Sequence, residues 1–237
     1  MSTSEAAKDQ RAGARVDHPD ETELSPAAVT FMTTEHFVLQ TARSATIAET
    51  NGRTALFLSS VSSVLVALAF FGQISRLGTA FFVLALVVLP PLLFVGLVTF
   101  ERAIQTSIEE VTYLRRMARI RRFYLDTAPR LSRYLARGGG GSKADVMHEV
   151  GITNSWWQSL VATAGSVAVI NSLVFGGTAG LLIGHLNGSL PLSVAVGVIA
   201  ATIAIALQLI RQRALWKQAD EGSEREFSAD VDSELRV

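Results

Sequence analysis

The sequence predicts an all-α integral membrane protein with four transmembrane helices, and three observations carry the prediction. Residues 150–210 hold no formal charge, and residues 54–100 hold only Arg76, in a chain of 237 residues. Each block is long enough to cross the ~30 Å of a bilayer's hydrocarbon twice, at ~20 residues per crossing. The remaining Lys and Arg gather at the block ends and between the blocks. Charged residues make up 18% of the chain, below the ~25% usual in soluble domains. Helices of a soluble bundle would carry a polar stripe, and these blocks show none.

Taken in order, residues 1–32 form a tail too polar to bury a core. The tail lacks the basic start and apolar core of a signal peptide, so the first span is expected to act as an uncleaved insertion signal. Residues 33–53 form a pre-helix capped by Thr33 or Thr34. Its weakly apolar face is Phe37, Val38, Thr41, Ala42, Ala45 and Ala48. Glu49 and Arg53, four apart, can pair on its surface. Gly52 weakens the helix by about 1 kcal/mol without breaking it. The first hairpin, 54–100, holds span 1 (Thr54–Gln73) and span 2 (Thr79–Phe100), and the turn Gly72–Gly78 makes them antiparallel neighbours.

Residues 101–153 form a helical loop. Span 2 continues as a helix to about Asp126, with the apolar stripe Ile104, Ile108, Val111 and Leu114. Asp126 or Thr127 can cap a second helix that contains Pro129 and ends at Ala136 or Arg137. Gly138–Gly141 form a flexible joint, and Ser142 can cap a third helix that ends before Gly151, its C′ residue. In the second hairpin, 154–210, Asn154 caps span 3 (Trp157–Gly184), with Trp156 and Trp157 at headgroup level. Span 4 is Leu192–Ile210, after the turn His185–Pro191 with its Asn187-Gly188 signal. Residues 211–237 form an acidic tail.

Orientation follows from Lys and Arg near the span ends. The loop between the hairpins carries ten basic residues, whereas the two short turns share one, Arg76. Both termini and the loop are therefore expected in the cytoplasm, of a bacterial plasma membrane. The 18 Arg against 3 Lys suit a GC-rich genome.

In span 3, Ala164, Ala168, Ser172, Gly176, Gly180 and Gly184 recur every four residues. Small residues let helix backbones touch, which is how helices associate in lipid. This face is either a packing seam, of the bundle or of a homo-oligomer, or a scatter of Gly and Ala from composition. Span 1 carries Ser59, Ser60, Ser62 and Ser63, which either line a pore or bond back to their own helix carbonyls, the commoner arrangement. Asn171 is deep in span 3 and calls for a partner across the seam, and Gln208 sits near the end of span 4. Pro90 and Pro91 interrupt span 2 as a static kink or a hinge. No Asp, Glu, Lys or Arg lies mid-membrane, which argues against ion-coupled transport. The run Arg115, Arg116, Arg119, Arg121 and Arg122, beside Tyr113, Phe123 and Tyr124, suits anionic lipid headgroups; it also serves simply as the positive-inside signal. Glu109 and Glu110 can pair with it along the helix.

Nothing supports catalysis. The chain has no Cys and four scattered His, and no zinc-protease, nucleophile-elbow or phosphate-loop pattern. The reading is of a non-enzyme with no cofactor and no metal. Its partners are the lipid bilayer, a second copy of itself and a cytosolic protein, with no nucleic acid.

The segments Thr34–Arg53 and Phe100–Glu110, with Arg122-Phe123-Tyr124-Leu125-Asp126, resemble a family of uncharacterised four-span membrane proteins from GC-rich bacteria. The resemblance covers about Thr33–Trp216 and implies the four-span fold but no activity. In architecture alone, the layout is similar to small membrane effectors proposed to form pores. Two functional classes follow: a non-catalytic scaffold or regulator acting through its cytoplasmic helices, and a homo-oligomeric channel.

The topology is testable in this cysteine-free chain. Gly188→Cys should react with a membrane-impermeant maleimide on intact cells, and Gly139→Cys only after the membrane is opened. The opposite pattern would invert the topology.

Overall fold

Four long helices make up the computed structural model, which describes residues 25–128, 130, 133 and 162–234. They are α1 (Pro26–Ile74), α2 (Thr79–Thr127), α3 (Thr163–Asn187) and α4 (Leu190–Glu234). Each is long and apolar enough to cross a membrane. Between 11% and 28% of each helix's most apolar window is buried within the bundle. The bulky side chains Leu56, Phe70, Phe94 and Leu207 face outward instead. Such a surface would aggregate in water and suits hydrocarbon.

Two boundaries differ from expectation. Ser25 caps α1, its Oγ accepting from the Ala27 N–H at 3.3 Å, and Pro26 stands at the first helical position, where no donor is needed. Residues 26–32 therefore belong to the helix rather than to the polar tail, and Thr33 and Thr34 are interior. At the other end α4 runs to Glu234, so the acidic segment after Ile210 is helical. Good helix formers and pairs such as Lys217–Glu221, 3.8 Å apart, support it. The helix-to-membrane continuity expected at Gly52 and after Phe100 is present. α2 also passes uninterrupted through Pro90 and Pro91, both on its exposed face. Asp126 and Thr127, expected to cap a second loop helix, are instead the last residues of α2; most of that second helix, the third one, Gly138–Gly141, Ser142, Asn154, Trp156 and Trp157 lie outside the described residues.

Both tight turns depend on left-handed backbone. Gly188 caps α3 at φ 63°, and its N–H donates to Gly184 O at 3.0 Å, a glycine helix stop. In the first turn the left-handed positions fall on side-chain-bearing residues, Arg76 (φ 51°) and Leu77 (φ 55°). Each costs on the order of 1–2 kcal/mol.

The helices pack in chain order: α1 on α2, α2 on α3, and α3 on α4 in the most extensive contact. The α3–α4 seam is made by missing side chains. A Cβ on Gly176 would lie 2.5 Å from Gly197 O and 2.7 Å from Ala201 Cβ; one on Gly180 would lie 3.0 Å from Ser193 O. The span 3 ladder thus finds its partner in the same chain, on the α4 face Ser193, Gly197 and Ala201. Its lower rungs, Ala164 and Ala168, turn into the core with Phe57, Phe100 and Ile104.

Adjacent glycines on α3 provide an internal control. Gly176→Ala should destabilise the bundle by about 1–3 kcal/mol, the usual cost of overpacking. At Gly177 a Cβ would meet nothing within 4 Å, so Gly177→Ala should leave stability unchanged or raise it. Thermal unfolding in detergent measures both, and equal effects would show that the seam is not close-packed.

Candidate functional site

Where the apolar blocks end, charges on three helices join into a belt. Glu49 of α1 accepts from Arg53 Nε at 2.9 Å. Arg102 of α2 reaches the same carboxylate, Nε and Nη2 each at 3.2 Å from one of its oxygens. Glu101 accepts from Arg211 Nε of α4 at 2.9 Å. Arg102, then Arg53, hold the Glu49 carboxyl below its ordinary value of 4.5 against a desolvation that raises it, and the Glu49 carboxylate in turn raises Arg102. Because Glu49 is depressed in the fold, its contribution is complete above 4.5 and fades as pH falls through the lowered value.

Beyond the belt three helices continue together as a stalk. At 1.5 Å per residue, the part of α1 before Thr54 extends about 42 Å and the part of α2 after Phe100 about 40 Å. α1 and α2 pair antiparallel along this length. Thr50 donates to Thr106 at 2.6 Å, Arg43 meets Glu110 at 2.8 Å, and Thr33 and Tyr124 hydroxyls lie 3.2 Å apart. Leu39, Met117 and Ile120 form a small core of their own, with Met32 and Tyr113 against it. α4 runs parallel to α2 and ties to it through Arg115–Asp220 at 3.1 Å.

This pairing corrects the expected packing face of the pre-helix. The face turned to α2 runs through Met32, Leu39, Arg43, Thr46 and Thr50. Phe37 is 65% exposed and Val38 56%, because the Arg43–Glu110 and Thr50–Thr106 bonds set the rotation of α1. Phe31, 68% exposed, extends the same uncovered apolar patch. Phe37 stands about 24 Å past Arg53 along the helix.

The basic run divides by face. Arg115 and Arg121 are half-buried with partners, while Arg116, Arg119 and Arg122 form an exposed stripe at three-residue steps. The stripe begins about 22 Å beyond Glu101 and ends about 32 Å beyond it. Glu109 and Glu110 do not serve it: Glu109 faces Arg102 at 3.6 Å and Glu110 faces Arg43.

Just inside the belt lies a buried polar layer. Gln208 Nε2 donates to Ser172 Oγ at 3.0 Å across the α3–α4 seam. Asn171, 2% exposed, turns the other way. Its Oδ1 occupies the space a Cβ on Gly96 would need, beside Phe57. The expected amide bond across the seam is absent: Asn171 Oδ1 accepts no hydrogen bond among the described residues, and neither do Thr54 Oγ1, Gln208 Oε1 and Gln212 Oε1. Gly96, Gly197 and Gln212 drew no attention in the sequence, although Ser193-x3-Gly197-x3-Ala201 carries the same four-residue spacing as the span 3 ladder.

Ser59, Ser60, Ser62 and Ser63 all face outward from the bundle. Ser60 bonds back to Leu56 O at 2.8 Å; the other three make no hydrogen bond among the described residues. The serines therefore line no passage within a single chain.

The class defined by these features is a multi-pass membrane protein of four helices, three of which continue into a charged stalk. Comparison with protein-family models, curated proteins and solved structures yields no match. The family resemblance rests on the sequence segments alone.

The Asn171–Gly96 contact predicts a coupled pair. Gly96→Ala should destabilise the protein by about 1–3 kcal/mol through overpacking. In an Asn171→Ala background the same change should cost less, by at least about 1 kcal/mol. Additive effects in a double-mutant cycle would show that the two residues do not meet.

Proposed function

We propose that the protein is a membrane-anchored, non-catalytic scaffold or regulator that recruits a cytosolic protein through its stalk. The charged end then faces the cytoplasm of a bacterial plasma membrane, as the distribution of Lys and Arg supports. One observation carries the reading. An apolar patch, Phe31, Phe37 and Val38, and a basic stripe, Arg116, Arg119 and Arg122, both stand uncovered on the stalk, about 20 Å or more past the charge belt. Exposed apolar patches outside the membrane mark protein interaction sites, and the arginines give such a surface preference for an acidic partner.

A second reading rests on the outward serines. Three unpartnered hydroxyls facing lipid would be satisfied if copies of the chain assembled around them, lining a pore between chains.

The two readings separate in one pair of experiments. A photo-crosslinking residue at Arg119 in living cells should give discrete adducts with a cytosolic protein. Replacing Phe37 with Ser and reversing the charge of Arg116 and Arg122 should remove them. Purified protein in liposomes should pass no ions. Flux through the liposomes with no adducts at Arg119 would favour the pore and overturn the scaffold.

A further inference from the structure

The end of the bundle away from the stalk contains a cavity of about 730 Å³ beside the first turn. Leu65 and Leu68 of α1, Phe81 of α2 and Leu181 of α3 wall it, and Gln73 and Arg76 stand at its outer end. Its size falls within the ~300–1,000 Å³ of small-molecule pockets. It is open rather than enclosed and its walls are mainly apolar, and such a void between membrane helices must be filled.

Three observations bear on what fills it. Arg76 is the lone formal charge in residues 54–100, and it has no ion-pair partner among the described residues. The backbone at Arg76 and Leu77, both lining the cavity, is left-handed; strain of this kind gathers at ligand clamps. α2 begins beside them at Thr79 behind Gly78, with no side chain capping its first amides, and such a helix start favours an anion. Arg76 thus stands at an apolar cavity, with the uncapped start of α2 a few residues along the chain.

We propose that this cavity is a binding site for one bilayer phospholipid. The phosphodiester sits on the Arg76 guanidinium and the first amides of α2, and one acyl chain lies between α1, α2 and α3. Charge complementarity selects this occupant over a second copy of the chain. Residues 54–100 and 150–210 contain no Asp or Glu, so another copy's membrane region has no carboxylate to bring to Arg76. Free phosphate would leave the apolar walls empty. The site is independent of the stalk, and of which side of the membrane it faces.

Native mass spectrometry of the purified full chain tests it, with phosphatidylglycerol, a diacylglycerol of the same chains and inorganic phosphate as probes. Wild type should retain phosphatidylglycerol. Arg76→Gln should retain about tenfold less, as loss of a charge-assisted bond implies, while Arg76→Lys should keep most of the binding. Ala69→Phe, which fills the cavity from α1, should lose binding with its helical content intact. Diacylglycerol should bind wild type and Arg76→Gln alike and weakly. Equal phosphatidylglycerol retention by wild type and Arg76→Gln would overturn the proposal. So would full displacement by inorganic phosphate, or loss of a dimer rather than of lipid in Ala69→Phe.

Discussion

A helix surrounded by hydrocarbon gains almost nothing by hiding a leucine, and the bundle is arranged around that constraint. Many of its large apolar side chains point out, and a core of Phe57, Phe100 and Ile104 is joined inside by small and polar groups. Close contact therefore has to come from glycine, as where Gly176 and Gly180 meet Gly197 and bring two backbones together. Specific rotation has to come from polar groups, as where Gln208 bonds Ser172 or Asn171 occupies the hollow at Gly96. A soluble bundle would lock the same helices with interdigitated leucines and leave the polar groups outside.

The charge belt is the counterpart of that constraint at the membrane's edge. Glu49, Arg53, Arg102, Glu101 and Arg211 stand at one level on three helices, so each helix leaves the apolar phase together with a partner for its charge. Above that level ordinary aqueous packing resumes, and Leu39, Met117 and Ile120 form a core of the familiar kind. One chain thus folds by two sets of rules, and the belt holds the helices in a single register across both.

The four spans and their turns were legible because solvent alone dictates them: charge-free blocks of known length, a glycine stop at Gly188, basic residues at one end. The continuity of α1 and α2 was legible for a similar reason, since nothing between Arg53 and Thr54 or after Phe100 breaks a helix. Rotation about the axis was not. Phe37 and Val38 look like a packing face, yet Arg43 and Thr50 win the orientation because their partners on α2 are fixed. The span 3 ladder was visible, but its partner was not, because a stripe of small residues does not say what it touches. Asn171 calls for a hydrogen bond across the seam, whereas its side chain turns instead into the hollow left by Gly96. The extra turns at Pro26 and after Ile210 were hidden by polar composition, which reads as tail when no neighbouring element is in view.

The absence of any joint where α1 and α2 pass through the belt has a mechanical consequence. A rigid helix that crosses the boundary unbroken acts as a lever, with the bilayer on its short arm. Transmembrane helices change tilt to match hydrocarbon thickness at a cost of fractions of a kcal/mol per Å. A tilt change of about 10° in the spans would sweep the far end of a stalk about 40 Å long sideways by about 7 Å. Thinning or thickening of the membrane would thus be read out, amplified, at the positions of Phe31 and Arg122.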